Sequence, residues 1–406
     1  MTEQPESAAL QAQSDPRRRL LVVGHPAVLR VNQLLYRELA RRGWQVDLVV
    51  PSSWRGEYSQ QPILPEALPG LQDSLHPVPV LLSGRAQRHL YLTRCRALAR
   101  RLGTQVAFLE AESYALAAAQ WRHALLPLGV PFGVQAYENI DRRLPVPVRR
   151  LRSLVLRDAA FVAARSDTAA QLARAWGARG EIGFAPPAVP GWAAPARTRD
   201  AEPASGGTGA RPFTIGYAGR LIASKGLEDL LAAVRLLPAP VELLLLGNGE
   251  LRERLDRAEI PGSRARVIDG LSHEQMPSGY AQLDVLVLPS HTTPTWKEQF
   301  GRVIIESLWC GVPVVGSDSG EIPWLIELTG GGLVFREGDV AALAAALTQL
   351  REQPGLRASL ARAGHETVQR TFTVAAATDP LERMLLAALR TGARTARGAR
   401  APSAPR

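Results

Sequence analysis

The feature that most constrains this chain is an alternation of short apolar runs with amphipathic segments. The apolar runs have strand length, and the segments between them have helical periodicity. In the first half we predict strands at 20–24, 45–50, 106–109, 132–136 and 161–164, with helices at 31–42, 148–159 and 168–176. Strands that alternate with helices predict a parallel sheet covered by helices on both faces.

The alternation begins again after a stretch of different composition. Residues 190–212 are rich in Pro, Ala, Gly, Ser and Arg, as linkers are. Beyond them we predict strands at 214–218, 241–246, 266–268, 285–288 and 312–315, and late helices at 341–353, 355–371 and 375–390. The pattern therefore predicts an α/β protein with two Rossmann-like domains.

We divide the chain on this basis into six segments. They are a disordered leader at 1–17, a first domain at 18–190, a linker at 191–212, a second domain at 213–374, a helix at 375–390 that can return to the first domain, and a disordered basic tail at 391–406. In open parallel sheets, ligands bind beyond the carboxyl ends of the strands. Two such domains that face each other would enclose a cleft suited to two substrates.

Composition excludes several classes of protein. No run approaches the roughly 20 apolar residues that span a bilayer, and the polar first residues lack the apolar core of a signal peptide. The two cysteines, Cys95 and Cys310, lie far apart and fit a reducing cytoplasm. No spacing indicates zinc, no Asp-x-Asp pair is present, and neither a hydrolase elbow nor a P-loop occurs.

The first motif with chemical content is the loop 219–226, which follows the first strand of the second domain. Gly219 permits a tight turn. Arg220 offers a planar donor fork and Lys225 a mobile point charge, a suitable pair for a diphosphate. A helix that starts near Gly226 would add its positive end. The alternative is two exposed cations on a loop.

The second motif is the pair of carboxylates Glu298 and Glu306. We expect a helix to start near Gly301, so that the amides of Phe300 and Gly301 point toward phosphate oxygens. A carboxylate accepts hydrogen bonds from the paired hydroxyls of sugars and ribose. Acidic pairs also occur on solvated helices, but Glu306 lies in an apolar segment, where a carboxylate needs partners.

Three further strand ends carry weaker signals. Gly249 closes a Gly-Asn-Gly turn at 247–249, and Gly24 follows the first strand. Either glycine could admit a ligand or simply make a turn. A polar group at 137–139, which consists of Tyr137, Glu138 and Asn139, ends another strand of the first domain. These three are candidates for acceptor or sugar contacts, or the capping of a loop.

In combination and order, these motifs resemble glycosyltransferase family 4, of the GT-B fold. The resemblance rests on 219–226, 247–249, 298–306 and the Gly-Val-Pro-Val-Val-Gly run at 311–316, and it covers roughly 213–353. It implies a retaining, metal-independent hexosyltransferase that uses a nucleotide-sugar donor and needs no cofactor. In the first domain the likeness is looser, and Tyr137-Glu138-Asn139 stands where the family usually has a histidine.

The resemblance also implies roles for individual residues. Arg220 and Lys225 would neutralise the departing diphosphate, Glu298 would orient the transferred sugar, and Glu306 would bind the donor ribose. Gly24 and the amides near Phe300 and Gly301 would flank the sugar and the phosphates. With no obvious nucleophile, front-face attack by the acceptor hydroxyl is the favoured mechanism. Alternatives are a nucleotide-sugar epimerase, a sugar phosphorylase, and a non-catalytic nucleotide-sugar-binding protein.

The net charge of +10 bears on the partners. It suits a phosphorylated substrate or an anionic membrane, whereas no recognition module supports nucleic acid. We expect a glycan or lipid-linked acceptor in polysaccharide assembly, and a cytoplasmic location that can be peripheral to the membrane. The arginine-rich stretches 85–101 and 142–157 are candidates for contact with anionic lipid, or else solvated helix faces.

Overall fold

A computed structural model describes residues 18–56, 61–192, 212–260, 262 and 264–398. The predicted leader, nearly all of the predicted linker and the last eight residues of the predicted tail lie outside this description. The described residues form two compact units. Unit 1 takes those within Met1–Val134, Asp158–Phe161 and Glu382–Arg406, and unit 2 those within Gln135–Arg157 and Val162–Leu381.

The elements of the first half follow the predicted alternation and add short pieces to it. Its strands are β1 Arg19–Val23, β2 Gln45–Pro51, β3 Leu75–Val78, β4 Val80–Leu81, β5 Leu90–Tyr91, β6 Val106–Leu109, β7 Phe132–Ala136, β8 Phe161–Ala164 and β9 Glu181–Phe184. Its helices are α1 Leu34–Arg41, α2 Cys95–Arg101, α3 Leu116–Leu125, α4 Val146–Asp158 and α5 Asp167–Ala175.

The second half is equally regular. Its strands are β10 Phe213–Ala218, β11 Val241–Leu246, β12 Arg264–Ile268, β13 Val285–Leu288, β14 Val314–Ser317 and β15 Gly332–Phe335. Its helices are α6 Leu227–Arg235, α7 Arg252–Asp256, α8 Met276–Tyr280, α9 Arg302–Trp309, α10 Ile322–Thr329, α11 Val340–Glu352, α12 Pro354–Thr371 and α13 Val374–Gly398.

The first sheet has seven strands in the order β3-β2-β1-β6-β7-β8-β9, with parallel pairing from β3 to β7. Its central strands are buried along almost their whole length. Continuous apolar strands of this kind are typical of parallel sheets with both faces covered. A separate antiparallel hairpin pairs β4 with β5.

The second sheet has six parallel strands in the order β12-β11-β10-β13-β14-β15. The order reverses at β10, because β11 and β12 lie on one side of it and β13 to β15 on the other. A reversal of this kind opens a crevice beyond the carboxyl ends of the strands on either side. The loops after β10 and β13 are therefore the ones that the topology places at a ligand site.

The last helix corrects one predicted boundary. We expected a helix at 375–390 followed by a disordered tail, but α13 starts at Val374 and continues to Gly398. Alanine and arginine, which are abundant beyond residue 390, are strong helix formers, and this propensity extends the helix. Within unit 1, Glu382 of α13 accepts hydrogen bonds from Arg42 and Trp44, each at 2.8 Å.

Among the described residues, no helix has both the length and the apolar character needed to cross a bilayer.

Candidate active site

The loop after β10 is fixed by its glycines. Gly226 has a φ of +67° and precedes α6, and a Cβ there would overlap the carbonyl oxygen of Pro289. Only glycine fits both that backbone conformation and that close approach. Lys225, which ends a short 3₁₀ turn over Ala223–Lys225, is held in place by this packing.

Lys225 is the centre of the site. Its Nζ donates to Oε2 of Glu298 at 2.6 Å, and it lies 4.5 Å from the ring centroid of Trp296. The hydroxyl of Ser290 donates to the same carboxylate oxygen at 3.1 Å. The Lys225 and Glu298 side chains are only 11% and 13% exposed, so water screens this ion pair much less than one on the surface. The structure thus joins two predicted site residues that are 73 positions apart in the sequence.

The identity of Lys225 carries information of its own. The chain has 46 arginines and only two lysines, Lys225 and Lys297. A coding preference for arginine would replace a lysine wherever any cation suffices. An ammonium is a compact point charge, whereas a guanidinium is a planar fork, so the two are not interchangeable in a confined site. Arginine at position 225 would therefore place a different geometry of donors beside Glu298.

Arg220 belongs to the same cluster. The hydroxyl of the buried Tyr217 donates to the Arg220 carbonyl oxygen at 2.7 Å. Burial raises the pKa of Tyr217, the charge of Glu298 raises it further, and the Arg220 guanidinium opposes the rise. The Tyr217 ring therefore lies within the electrostatic reach of both charges. The charges of Arg220 and Glu298 thus both act on one buried phenol at the carboxyl end of β10, and Lys225 is bonded to Glu298.

The backbone of Glu298 is held from two directions. Its carbonyl oxygen accepts from Nδ2 of Asn139 at 2.8 Å and from the amide of Glu321 at 3.0 Å. Gly320, with a φ of +58°, packs against it so closely that a Cβ would overlap the Glu298 backbone. Asn139, Gly320 and Glu321 thus fix the main chain that carries the Glu298 carboxylate.

Helix α9 begins where the sequence predicted. Gly301 is its N-cap, with a φ of +75° and no side-chain cap, and the Ile304 amide donates back to the Gly301 carbonyl oxygen at 2.8 Å, so the cap supplies no side-chain acceptor to the amides before Ile304. The Phe300 side chain is buried, and its ring meets those of Trp324 and Phe372 edge-on at 6.4 Å and 6.1 Å. Of Phe300, the predicted donor contact, only the backbone is therefore available to a ligand.

Glu306 is a buried carboxylate inside α9. It is 3% exposed, and it accepts a hydrogen bond from Tyr280 Oη at 2.9 Å. Nε of Arg302 lies 3.6 Å from its other oxygen, Oε1, which has no hydrogen-bond partner among the described residues. Burial raises the pKa of Glu306, and the Arg302 charge and the Tyr280 hydrogen bond oppose that rise. Within the described part of the chain, the Oε1 atom of Glu306 thus stays without a hydrogen bond, although burial makes the charged carboxylate costly in free energy.

Gly249 has a packing role that the sequence did not reveal. The loop after β11 lies against the loop after β10, where Leu221 donates to the carbonyl oxygen of Asn248 at 2.9 Å. A Cβ on Gly249 would overlap the carbonyl oxygen of Leu221. A Cβ on Gly247 would overlap that of Gly219 in the same way. The two loops meet backbone to backbone, and this sets the shape of the segment that carries Arg220.

Gly24 lies in unit 1, after β1. Its amide contacts the carbonyl oxygen of Val49 at 3.2 Å, and a Cβ there would lie 2.7 Å from Cβ of Glu110. The glycine thus lets the loop after β1 approach the end of β6 closely.

The three residues at 137–139 have different roles. Glu138 accepts from Nε of Arg142 at 2.7 Å and from the Ile140 amide at 3.3 Å, so it stabilises its own loop. Tyr137 is half-buried. Asn139 is the member with a direct bond to a predicted catalytic residue, through the main chain of Glu298.

Sequence reasoning missed several residues of the site. Ser290 lies two residues beyond the end of β13, so the rule that ligands bind at strand ends would have found it. Tyr217 and Tyr280 had no local signal, because each resembles an ordinary buried aromatic residue. Among the described residues, no group of three or more His, Cys, Asp or Glu side chains is placed to hold a metal ion.

Comparison with solved structures defines the class of the fold. The chain superposes on a sucrose-phosphate synthase from Thermosynechococcus elongatus with a TM-score of 0.66 and 20% identity, over 92% of this chain and 100% of the other. It superposes on Anabaena HepE, in a complex with UDP, with a TM-score of 0.64 and 18% identity, over 91% and 99%. The protein has the GT-B fold, with two parallel-sheet, Rossmann-like α/β domains, as its sequence predicted.

Family models complete the assignment. The model "Glycosyl transferases group 1" matches residues 198–367, and the model "Glycosyl transferase 4-like domain" matches residues 28–187. The protein belongs to the family 4-type glycosyltransferases.

Curated relatives match over shorter segments. One is the lipopolysaccharide core biosynthesis glycosyltransferase LpsE of Rhizobium meliloti, 36% identical over 169 residues, which are 41% of this chain and 48% of LpsE. Another is the capsular polysaccharide biosynthesis glycosyltransferase CapM of Staphylococcus aureus, 28% identical over 42% of this chain and 45% of CapM. The match spans about half the length of these relatives.

Proposed function

We propose that the protein is a retaining glycosyltransferase that moves a hexosyl group from a nucleotide-diphosphate sugar to a hydroxyl of a glycan or lipid-linked acceptor. The observation that carries the proposal is the buried Lys225–Glu298 ion pair beyond the carboxyl end of β10, with Arg220 bonded through its carbonyl oxygen to Tyr217 on the same loop. It provides cations for a diphosphate and a carboxylate for sugar hydroxyls on adjacent loops. The names of the relatives, which refer to lipopolysaccharide core and capsular polysaccharide biosynthesis, support the acceptor class.

The donor binds through both acids and both cations. The pyrophosphate lies between Arg220, Lys225 and the uncapped amides at Phe300 and Gly301. The free oxygen of Glu306 accepts the ribose hydroxyls, and Gly249 shapes the loop beneath Arg220. UDP in HepE and GDP-mannose in the name of a Corynebacterium glutamicum relative support a nucleotide sugar and leave the base open.

Donor binding changes the partners of Glu298. Before the donor binds, its carboxylate neutralises Lys225. When the pyrophosphate takes over that neutralisation, Glu298 becomes available to the hydroxyls of the transferred sugar. The bonds from Asn139 and Glu321 hold its main chain, so only the side chain needs to turn.

The chemical step follows from charge. The bond between the anomeric carbon and the β-phosphate oxygen breaks, and the electron pair goes to the phosphate. The acceptor oxygen then bonds to the same face of the anomeric carbon, and its proton passes to the departing phosphate oxygen. Fixed cations at the leaving group lower this barrier without reorganisation. The step needs neither a metal nor a cofactor.

We propose that the protein works in the cytoplasm, peripheral to the inner face of the membrane, with no nucleic-acid partner. The test begins with a thermal-shift screen of UDP, GDP and ADP and their sugars on the full chain. A ligand at about 100 times its Kd stabilises the native state by about 2.7 kcal/mol, so the matching nucleotide raises Tm visibly. Release of nucleoside diphosphate in the presence of glycan acceptors then measures transfer.

Arg220→Ala should lower that turnover by about 100-fold, the scale of one lost charge-stabilising group. Arg235→Ala, which removes an exposed arginine of α6, is the matched control. Turnover within a few-fold of wild type in Arg220→Ala would contradict the proposed role. Isomerised donor formed without an acceptor would identify an epimerase instead, and binding without any product would identify a nucleotide-sugar-binding protein.

A further inference from the structure

The β4–β5 hairpin of unit 1 has an apolar outer face. Leu81 pairs with Leu90, and Val80 pairs with Tyr91. Residues paired across an antiparallel ladder share a face, and successive residues alternate between faces. Tyr91 is buried, so Leu81 and Leu90 lie on the outer face, where Leu81 is 51% exposed. An outer face normally carries polar side chains, and this one does not.

The apolar face extends beyond the paired residues. The amide of Leu92 donates to the carbonyl oxygen of Pro79 at 2.8 Å, which places both on the side of Leu81. Leu92 is 54% exposed. At the tip, Leu82 is 58% exposed and has a φ of +56°, the one positive φ of a residue other than glycine in the described part of the chain. A branched side chain in that conformation is strained, and such strain is typical of functional positions.

Positive charge accompanies this face along the chain. The hairpin and α2 carry six arginines, all exposed: Arg85, Arg88, Arg94, Arg96, Arg100 and Arg101. The sequence has no carboxylate from residue 74 to residue 109, and none of the six side chains has an ion-pair partner among the described residues. Helix α2 buries Cys95, Leu98 and Ala99, which leaves its arginines on the outer side.

The second arginine-rich stretch differs. In α4 and the loop before it, Arg142 is bonded to Glu138, and Arg152 is buried with its guanidinium 4.0 Å from the ring centroid of Trp176. Arg149 and Arg150 are exposed, and the large exposed apolar side chains of α4 are Val146 and Leu154, against three exposed leucines on the hairpin. The structure thus distinguishes two stretches that look alike in sequence.

We propose that the β4–β5 hairpin and α2 form a docking surface for anionic lipid, here called the hairpin surface. Leu81, Leu82 and Leu92 enter the boundary between head groups and acyl chains, and the arginines contact lipid phosphates. Anionic lipid fits better than a second copy of the chain, because a two-fold contact would bring unpaired arginines together. This surface rests on the proposed function, in which the protein is peripheral to the membrane, and it names the part of the chain that contacts the lipid. Vesicle binding needs no sugar donor, so either idea can fail without the other.

The test is co-sedimentation of the full chain with vesicles of phosphatidylcholine alone, or of equal parts phosphatidylcholine and phosphatidylglycerol. Wild type should bind only the anionic vesicles. Arg96→Glu/Arg100→Glu should weaken that binding at least about tenfold, because each substitution removes a cation that the anionic lipid surface attracts. Arg149→Glu/Arg150→Glu makes the same charge change on α4 and should stay within about twofold of wild type.

A second variant separates the leucines from folding. Leu82→Asn should raise Tm, because asparagine tolerates the left-handed conformation, and should still weaken vesicle binding several-fold. A destabilised protein cannot produce that combination. Unchanged vesicle binding in Leu82→Asn, or equal losses in the α4 control, would overturn the proposal. So would a wild-type dimer that dissociates in the hairpin variants, since it would assign the surface to a second copy.

Discussion

Side chains at the carboxyl end of β10 in unit 2 are charged and paired, whereas those after β1 in unit 1 are aromatic and neutral. In unit 2, Lys225 bonds to Glu298. In unit 1, His25 stacks on Trp54 with ring centroids 4.5 Å apart, and Trp54 meets His89 edge-on at 5.1 Å. Both loops follow a central strand of a parallel sheet.

Burial affects the ionisable side chains at these two strand ends differently. It lowers the pKa of His25 to about 3, with the charge of His89 as a smaller cause, so His25 stays neutral at physiological pH. In unit 2, the Glu298 carboxylate is paired with Lys225, and the Glu306 carboxylate accepts a hydrogen bond from Tyr280. Both units are built on parallel sheets, so the type of sheet does not determine which side chains lie at the ends of its strands. We therefore expect phosphate chemistry to depend on unit 2, and four experiments test that contrast.

The largest effect should come from Lys225→Ala, which removes a cation from the leaving group. We expect turnover to fall by about 100-fold or more. The assay is release of nucleoside diphosphate under saturating donor. Lys297→Ala, which removes the only other lysine, is the matched control and should stay within about threefold of wild type. A comparable loss in His25→Ala would break the contrast between the units.

A smaller effect is expected from Asn139→Asp, which keeps the size of the side chain but removes the donor to the Glu298 carbonyl. Misplacement of the Glu298 main chain should lower kcat by about tenfold, with little change in the donor Kd. Single-turnover kinetics and nucleotide titration measure the two quantities separately. Glu138→Gln, next to it, should weaken only its own loop. Equal losses of kcat and of donor affinity would show that Asn139 has a purely structural role.

Glu306→Gln should have effects of opposite sign on binding and stability. Loss of a charged acceptor should raise the KM for donor by about tenfold. Burial raises the pKa of Glu306, so the native state binds more protons than the unfolded state above the ordinary glutamate value. The free energy of unfolding therefore falls as pH rises through that window, and Glu306→Gln removes the fall.

Thermal unfolding from about pH 4 to pH 8 measures this difference. The variant should have the higher Tm at neutral pH. Glu327→Gln, on the exposed side of α10, should show neither effect. A variant that is less stable than wild type at every pH would show that Glu306 stabilises the fold instead of serving the donor.

The smallest effect concerns unit 1. The native pKa of His25, about 3, lies below its ordinary value of 6.5, so the unfolded state binds more protons between these values. Stability contributed by neutral His25 is present above pH 6.5 and is lost as pH falls toward 3. His25→Phe should therefore reduce the acid-induced fall in Tm by a few degrees. The exposed His123→Gln is the control, and an unchanged slope in His25→Phe would show that the ring is solvated.

Much of the fold could be predicted from local sequence. The five strands predicted in the second half correspond to β10 to β14 with small shifts of their ends, because each is a continuous apolar run between turn residues. The edge strand β15 was missed, since it begins at the last of three glycines and is mostly half-exposed. The two-residue strands β4 and β5 were missed because they are too short to show a period.

The candidate site could be predicted from the sequence to a similar extent. Glycines and charges at strand ends identified Arg220, Lys225 and Glu298; the structure bonds Lys225 to Glu298, and the charges of Arg220 and Glu298 both act on Tyr217. No local pattern could reveal that Asn139 bonds to the main chain of Glu298, because that contact joins residues 159 positions apart. Charge counting also could not tell the paired arginines of α4 from the unpaired ones of α2, because pairing depends on the fold.

The path of α13 has a consequence for how the protein is made. Unit 1 includes Glu382, and Met384, Leu385 and Ala388 are buried beyond it. A ribosome must therefore synthesise all of unit 2 before it supplies these residues. The apolar surface that they cover stays uncovered during that time, so the nascent first unit needs either a chaperone or a slow, reversible collapse. Biosynthesis, more than equilibrium stability, is the stage at which substitutions in this helix should harm the protein.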